Sequence, residues 1–154
     1  MAESRITTIA NALCAAVNGA EEGTFSQSFE AVVRYRREKQ TSHMATLDVG
    51  VYRYAETPTP SEDDTGLHGG DGRSDEIEYA LDIAVRKSVK TDAETEDLIC
   101  LCEEIRSFVS RLGLPTVAGD VIGAGATYDP IYDEEHLRGG VFFGLITAVF
   151  QAYG

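Results

Sequence analysis

Glu76-Ile77-Glu78-Tyr79-Ala80-Leu81-Asp82-Ile83-Ala84-Val85-Arg86-Lys87-Ser88-Val89 is the stretch that decides the fold. Ile77, Tyr79, Leu81, Ile83, Val85 and Val89 alternate with Glu78, Ala80, Asp82, Ala84, Arg86 and Ser88. A period of two puts the first set on one face of a strand and the second on the other. A strand with one large apolar face needs a sheet around it and a layer of side chains over it.

Both flanks supply candidates for that layer. On the C-terminal side, Thr91 or Asp92 is positioned to cap a helix with Glu94 in its first turn. Leu98, Leu101, Cys102, Ile105, Phe108, Val109 and Leu112 then step by three and four, and Gly113 and Pro115 end the pattern. Val117 to Thr127 is apolar and rich in glycine and is expected to hold a short strand. Asp129-Pro130 opens a turn, and Tyr132 to Leu137 has room for one helical turn. Val141 to Tyr153 is apolar on both sides, with Val141, Phe143, Leu145 and Val149 on one and Phe142, Ile146 and Phe150 on the other. Such a strand is either central in its sheet or completed by a neighbouring chain.

On the N-terminal side, Glu56 to Arg73 holds two prolines, four glycines and five acids without periodicity, and is expected to be a long flexible loop. Before it, Leu47, Val49 and Val51 alternate with polar residues, and Phe25, Phe29, Ala31, Val33 and Tyr35 share one face of an earlier segment. The polar run Arg37 to His43 between them is expected to be a hairpin tip. Ser4 caps a first helix carrying Ile6, Ile9, Ala10, Leu13 and Val17, which Asn18-Gly19 stops. The order predicts a single α+β domain over residues 1–154: a mostly antiparallel sheet with two helices packed on one face.

Composition narrows the function. The 154 residues are 43% hydrophobic and 25% charged, enough for an ordinary core. The net charge of -13 is concentrated: residues 1–54 hold six acids and six bases, 55–104 fifteen acids and four bases, and 105–154 five acids and three bases. An acidic field disfavours phosphate binding and suits a basic protein partner. No apolar run approaches the ~20 residues that span a bilayer. The N-terminus lacks the pattern of a signal peptide, and no membrane partner is expected. Cys14, Cys100 and Cys102 are odd in number and contain no CxxC, which favours reduced thiols.

A search for chemistry finds fragments. Asp64-Thr65-Gly66 spells the aspartic-protease triplet, but it sits among acids and glycines rather than in a dry apolar site. The same loop lacks the spacing and closing Glu of an EF-hand. His43, His68 and His136 share no ligand spacing. Gly119, Gly123 and Gly125 form neither GxGxxG nor a phosphate loop. No catalytic residue, metal or cofactor is expected, and the chain does not read as an enzyme. Arg34, Arg36, Arg37 and Lys39 form a basic cluster. It reads as a nucleic-acid contact, as a solvated hairpin tip or, set against the acidic middle segment, as a surface complementary to a neighbouring copy, in which case head-to-tail copies close a ring if the rotation allows.

The succession of patterns resembles the tail terminator and tail-completion proteins of long-tailed bacteriophages. The similarity runs from the first helix to Phe150. It is carried by Glu78 to Val85 after a loop ending in Arg73-Ser74, by the helix with Asp97-Leu98 and Glu104-Ile105, and by Asp129-Pro130-Ile131-Tyr132-Asp133 leading through Leu137 to Val141–Phe150. The resemblance implies a structural virion protein of the tail, assembled in the host cytoplasm. It implies a homo-hexameric ring at the head-proximal end of the tail tube. That ring ends tube polymerisation and joins the tail to the neck. The implied partners are further copies of the chain, the tail tube protein and a neck or head-completion protein. Genomic DNA would pass through the ring without specific binding. Candidate interface residues are Arg34, Arg36, Arg37, Lys39, Phe142 and Phe150, and candidate channel-facing acids are Glu76, Glu78 and Asp82. A neck or head-closure connector is the nearest alternative. An acidic DNA mimic that blocks a DNA-binding enzyme is another, although the bases at 34–39 would interrupt its rail of charge.

Overall fold

A computed structural model describes residues 4–34, 46–58, 76–110, 112–114, 121–128 and 132–153. The elements in chain order are α1 (Arg5–Asn18), β1 (Ala31–Arg34), β2 (Asp48–Pro58), β3 (Glu76–Ser88), α2 (Asp92–Val109), β4 (Val121–Tyr128), α3 (Glu134–Arg138) and β5 (Val141–Tyr153). The strands form one sheet in the order β1-β2-β3-β5-β4. All pairs are antiparallel except β1 with β2. The expected α+β architecture is therefore the one observed, and β5 is central, between β3 and β4.

β3 and β5 pair along their whole lengths, from Glu76 opposite Tyr153 to Ser88 opposite Val141. The register places Tyr79, Leu81, Ile83 and Val85 beside Phe142, Ile146, Ala148 and Phe150 on one face, all withdrawn from solvent. Over that face lie Ile9, Leu13 and Val17 of α1 and Leu98, Leu101, Ile105 and Val109 of α2. Each such side chain contributes roughly 1.5–3 kcal/mol by leaving water. Local signals set the helix ends. The Ser4 hydroxyl accepts from the Thr7 amide at 3.3 Å, and the Gly19 amide closes α1 on the Ala15 carbonyl at 2.9 Å. Thr91 accepts from the Glu94 amide at 3.2 Å, while the Glu94 carboxylate reaches back to the Lys90 amide at 3.3 Å.

Three details depart from expectation. β1 runs parallel to β2, with Ala31 opposite Val49 and Arg34 opposite Tyr52, so the two do not form a hairpin. The intervening residues 35–47 meet the dozen or so that a parallel connection requires, a length that a polar tip alone does not reveal. β1 starts at Ala31 rather than at Phe25. Phe25 instead packs its ring on Phe29 at 5.1 Å and on Phe108 of α2 at 5.4 Å, because both rings gain more from the helix layer than from a strand edge. β2 continues to Pro58, taking residues 56–58 out of the expected loop and pairing them with Ile77 to Tyr79. Residues 59–73 of that loop, with the Asp64 triplet and His68, lie outside the described residues, as does His43.

Groups from neighbouring segments occupy backbone positions at both edges of the sheet. At β1 the Asn18 amide imitates a neighbouring strand: its Oδ1 accepts from the Ala31 N–H at 2.7 Å and its Nδ2 donates to the Ala31 carbonyl at 3.0 Å. The Cys14 thiol donates to the same carbonyl at 2.8 Å. At β4 the Gly123 amide donates to Leu112 O at 2.9 Å, Leu114 N donates to Val121 O at 3.1 Å, and Arg106 Nε donates to Ala126 O at 2.8 Å. Gly123 permits this approach, since a Cβ there would stand 2.8 Å from the Val109 carbonyl oxygen. Covered edges do not template strand addition. Replacing Asn18 with Ala removes both side-chain bonds to Ala31 and is expected to cost about 1–2 kcal/mol. Thermal unfolding should show Tm lower by roughly 3–6 °C; an unchanged Tm would mean that water replaces the amide without loss.

Candidate assembly surface

The second face of the sheet bears the charged residues that the alternation of β3 and β5 turns away from α1 and α2. At its β1 end, three strands share one carboxylate. Asp48 of β2 lies opposite Arg86 of β3 in the register. Arg86 Nη2 donates to Asp48 Oδ2 at 2.8 Å. Arg34, opposite Tyr52, reaches back along β2 and binds both Asp48 oxygens, at 2.6 and 2.5 Å. Gly50 stands between Asp48 and Tyr52 and leaves room for this. The Tyr52 ring lies so close over Gly50 that a Cβ would meet Tyr52 Cε2 at 2.8 Å. Burial pushes the Asp48 pKa up, but hydrogen bonds and charge from Arg34 and Arg86 outweigh it, and the carboxyl sits below its ordinary value. The Arg34 guanidinium is held further above its ordinary value, chiefly by its bond to Asp48.

This arrangement corrects several sequence expectations. Arg34 is not a free cation at a hairpin tip, since its fork is committed to Asp48. Phe142 and Phe150 are fully buried in the core beneath the helices and have no surface to give a neighbour. Asp82 does not present a charge to a channel: it is 2% exposed and accepts from Thr147 Oγ1 at 2.8 Å across the β3–β5 pair. Alternation correctly put Asp82 opposite the core but could not reveal that the second face is itself withdrawn there, where Tyr52, Ala84 and Leu145 cluster with Phe143. Glu78, half-buried and paired in register with Gln151, remains on that face, and Glu76 begins the strand. Arg36, Arg37 and Lys39 fall outside the described residues.

The exposed acids that sequence reasoning passed over are on α2. Its eighteen residues include Asp92, Glu94, Glu96, Asp97, Glu103 and Glu104 against the single base Arg106. Asp92, Glu96, Asp97 and Glu103 are exposed. α1, by contrast, carries no acid and one base, Arg5. The signal was present in the same periodicity that picks out Leu98, Leu101 and Ile105, because the positions it leaves are the outward ones. Cys100 is exposed among these acids, while Cys102 faces the core. Burial, followed by the charge of Glu103, pushes the Cys102 thiol up to about 12. Cys100 is raised by desolvation and then by Glu96, Glu103, Glu104 and Asp97.

At the opposite side of the molecule, His136 Nδ1 lies 2.5 Å from Asp133 Oδ2 and the imidazole stacks on Phe143. That hydrogen bond holds the Asp133 carboxyl below its usual range. Among the described residues no three His, Cys, Asp or Glu side chains converge as a metal site. No described helix is long and apolar enough to cross a membrane. No family model matches the chain, and no curated protein matches it.

The shared carboxylate makes a pH prediction. A depressed folded pKa stabilises the fold fully above the unfolded value of about 3.9 and loses that contribution as pH falls through the lower folded value. Asp48→Asn should therefore cost on the order of 3 kcal/mol near neutrality, because the buried Arg86 loses its counter-charge. Urea unfolding of both proteins from pH 7 down to pH 3 should show a gap that stays constant and narrows only below about pH 4. A gap that narrows near pH 6 would assign the dependence to another group.

Proposed function

We propose that the chain is a structural subunit of a long-tailed phage particle. Six copies form a ring on the head-proximal end of the tail tube, end its polymerisation and join it to the neck. The role is mechanical and involves no catalysis. Its partners are other copies, the tail tube protein and a neck or head-completion protein, and DNA passes through without being read.

The observation that carries this reading is the segregation of charge on one subunit. α2 presents the exposed acids Asp92, Glu96, Asp97 and Glu103, whereas in the sequence the bases Arg36, Arg37 and Lys39 follow the edge strand β1. Unlike charges on one subunit suit heterologous contacts, which close a ring where the rotation allows. Because Asn18 and Arg106 cover backbone groups at the two sheet edges, side-chain surfaces are favoured over strand addition as the means of contact. The family resemblance supplies the place of such a ring in the virion.

Electron microscopy of tail tube protein of the same virion, polymerised with and without this chain, tests the role. The expected outcome is tubes that stop growing when the chain is added and carry a ring at one end. Tubes of unaltered length with bare ends would overturn the terminator assignment, and a ring found only on capsid portals would favour the neck connector.

A further inference from the structure

α2 has an outward groove in which acids and an aromatic ring meet. A shallow, open depression of about 620 Å³ is lined by Thr24, Cys100, Glu103, Glu104, Ser107 and Phe108. The wall is built rather than incidental. Both the Ser26 amide and its hydroxyl donate to Glu104 Oε1, at 2.9 and 2.8 Å, which fixes that carboxylate at the rim. Phe25 meets Phe108 edge-on and holds its ring as the floor. Glu103 beside it is exposed. Carboxylates above an apolar floor match the chemistry of an arginine: the stem packs on the ring while the guanidinium donates charge-assisted bonds to the rim. An acidic ligand is repelled by the rim, and a purely apolar one leaves the rim carboxylates unpaired.

We propose that this groove receives the basic segment Arg36 to Lys39 of a neighbouring copy. The inference rests on the ring reading above and names the contact that closes it. Charge selects the occupant. Of the four bases in residues 34–39, Arg34 is committed to Asp48, and the other three, Arg36, Arg37 and Lys39, make the densest basic run of the sequence. Geometry selects a second copy. Arg34 binds Asp48 on the face of the sheet opposite the helices, and the groove opens on the outer side of α2. A helix about 10 Å thick and the sheet itself lie between. Arg36 and Arg37, two and three residues on, advance at most ~7 and ~10 Å from Arg34.

Cysteine chemistry provides the test. Cys100 lines the groove and is exposed, whereas Cys14 and Cys102 are buried, so one native thiol is available. The R37C variant of the full chain, oxidised under mild conditions, should give a ladder of disulfide-linked oligomers on non-reducing gels, and adding C100S should abolish it. Independently, E103R should raise the concentration at which assemblies dissociate at least tenfold with an unchanged circular-dichroism spectrum. Combining E103R with R37E should restore assembly. Native assemblies that form no ladder and tolerate E103R would overturn the groove contact while leaving the ring intact. A monomer with an internal disulfide would show that the chain fills its own groove. Wild-type protein that stays monomeric at every concentration would remove the ring and this contact together.

Discussion

The pairing of β3 with β5 constrains the rest of the molecule. Its rungs run from Glu76 and Tyr153 to Ser88 and Val141 without interruption, and the register decides which side chains face the helices. A slip of β5 by one residue would exchange Phe142, Ile146 and Phe150 for Phe143, Leu145 and Thr147 beneath α1 and α2, and would take Thr147 away from Asp82. The fold is thus secured by two strands whose faces differ in kind. The helices follow from one face. The ion pairs and the Asp82–Thr147 bond follow from the other. Outward from this pair the sheet is less regular, with a bulge between Arg53 and Ala55 on β2 and another between Gly123 and Gly125 on β4.

The ends of the sheet show how a small α+β chain can associate without aggregating. β1 has only four residues, and its free side is met by Asn18 and Cys14 from α1. β4 is met by the segment after α2 and by Arg106, whose guanidinium also lies over the Tyr128 ring. With these backbone groups occupied, specific contact falls to charged side-chain surfaces. Such contacts choose partners and orientation by sign, and salt weakens them. The ring proposed for the tube end would gain more from that selectivity than from the indiscriminate affinity of an open strand.

Much of the architecture was legible because it rests on periodicity. The alternation of Ile77 to Val89, the three-four spacing of Leu98 to Val109 and the caps Ser4 and Thr91 are local patterns with local causes. The parallel pairing of β1 was not legible, since nothing in Ala31-Val32-Val33-Arg34 encodes the direction of its neighbour. The site was read less well for the same physical reason. Charge counts identified an acidic middle segment, but burial depends on tertiary neighbours. Asp82, Arg34, Phe142 and Phe150 were all drawn inward by partners distant in sequence, whereas the acids of α2 remained outside. The Arg34–Asp48–Arg86 cluster joins three separate strands and leaves no mark in any one of them.

The account stands on the claim that this chain closes into a ring of its own copies. Native mass spectrometry of the purified full chain, across a wide range of concentration at low and high salt, tests that claim most directly. A closed hexamer that dissociates as salt rises is the predicted result. A twelvefold assembly would contradict the terminator stoichiometry and move the chain to the neck, and a monomer at every concentration would contradict the ring itself.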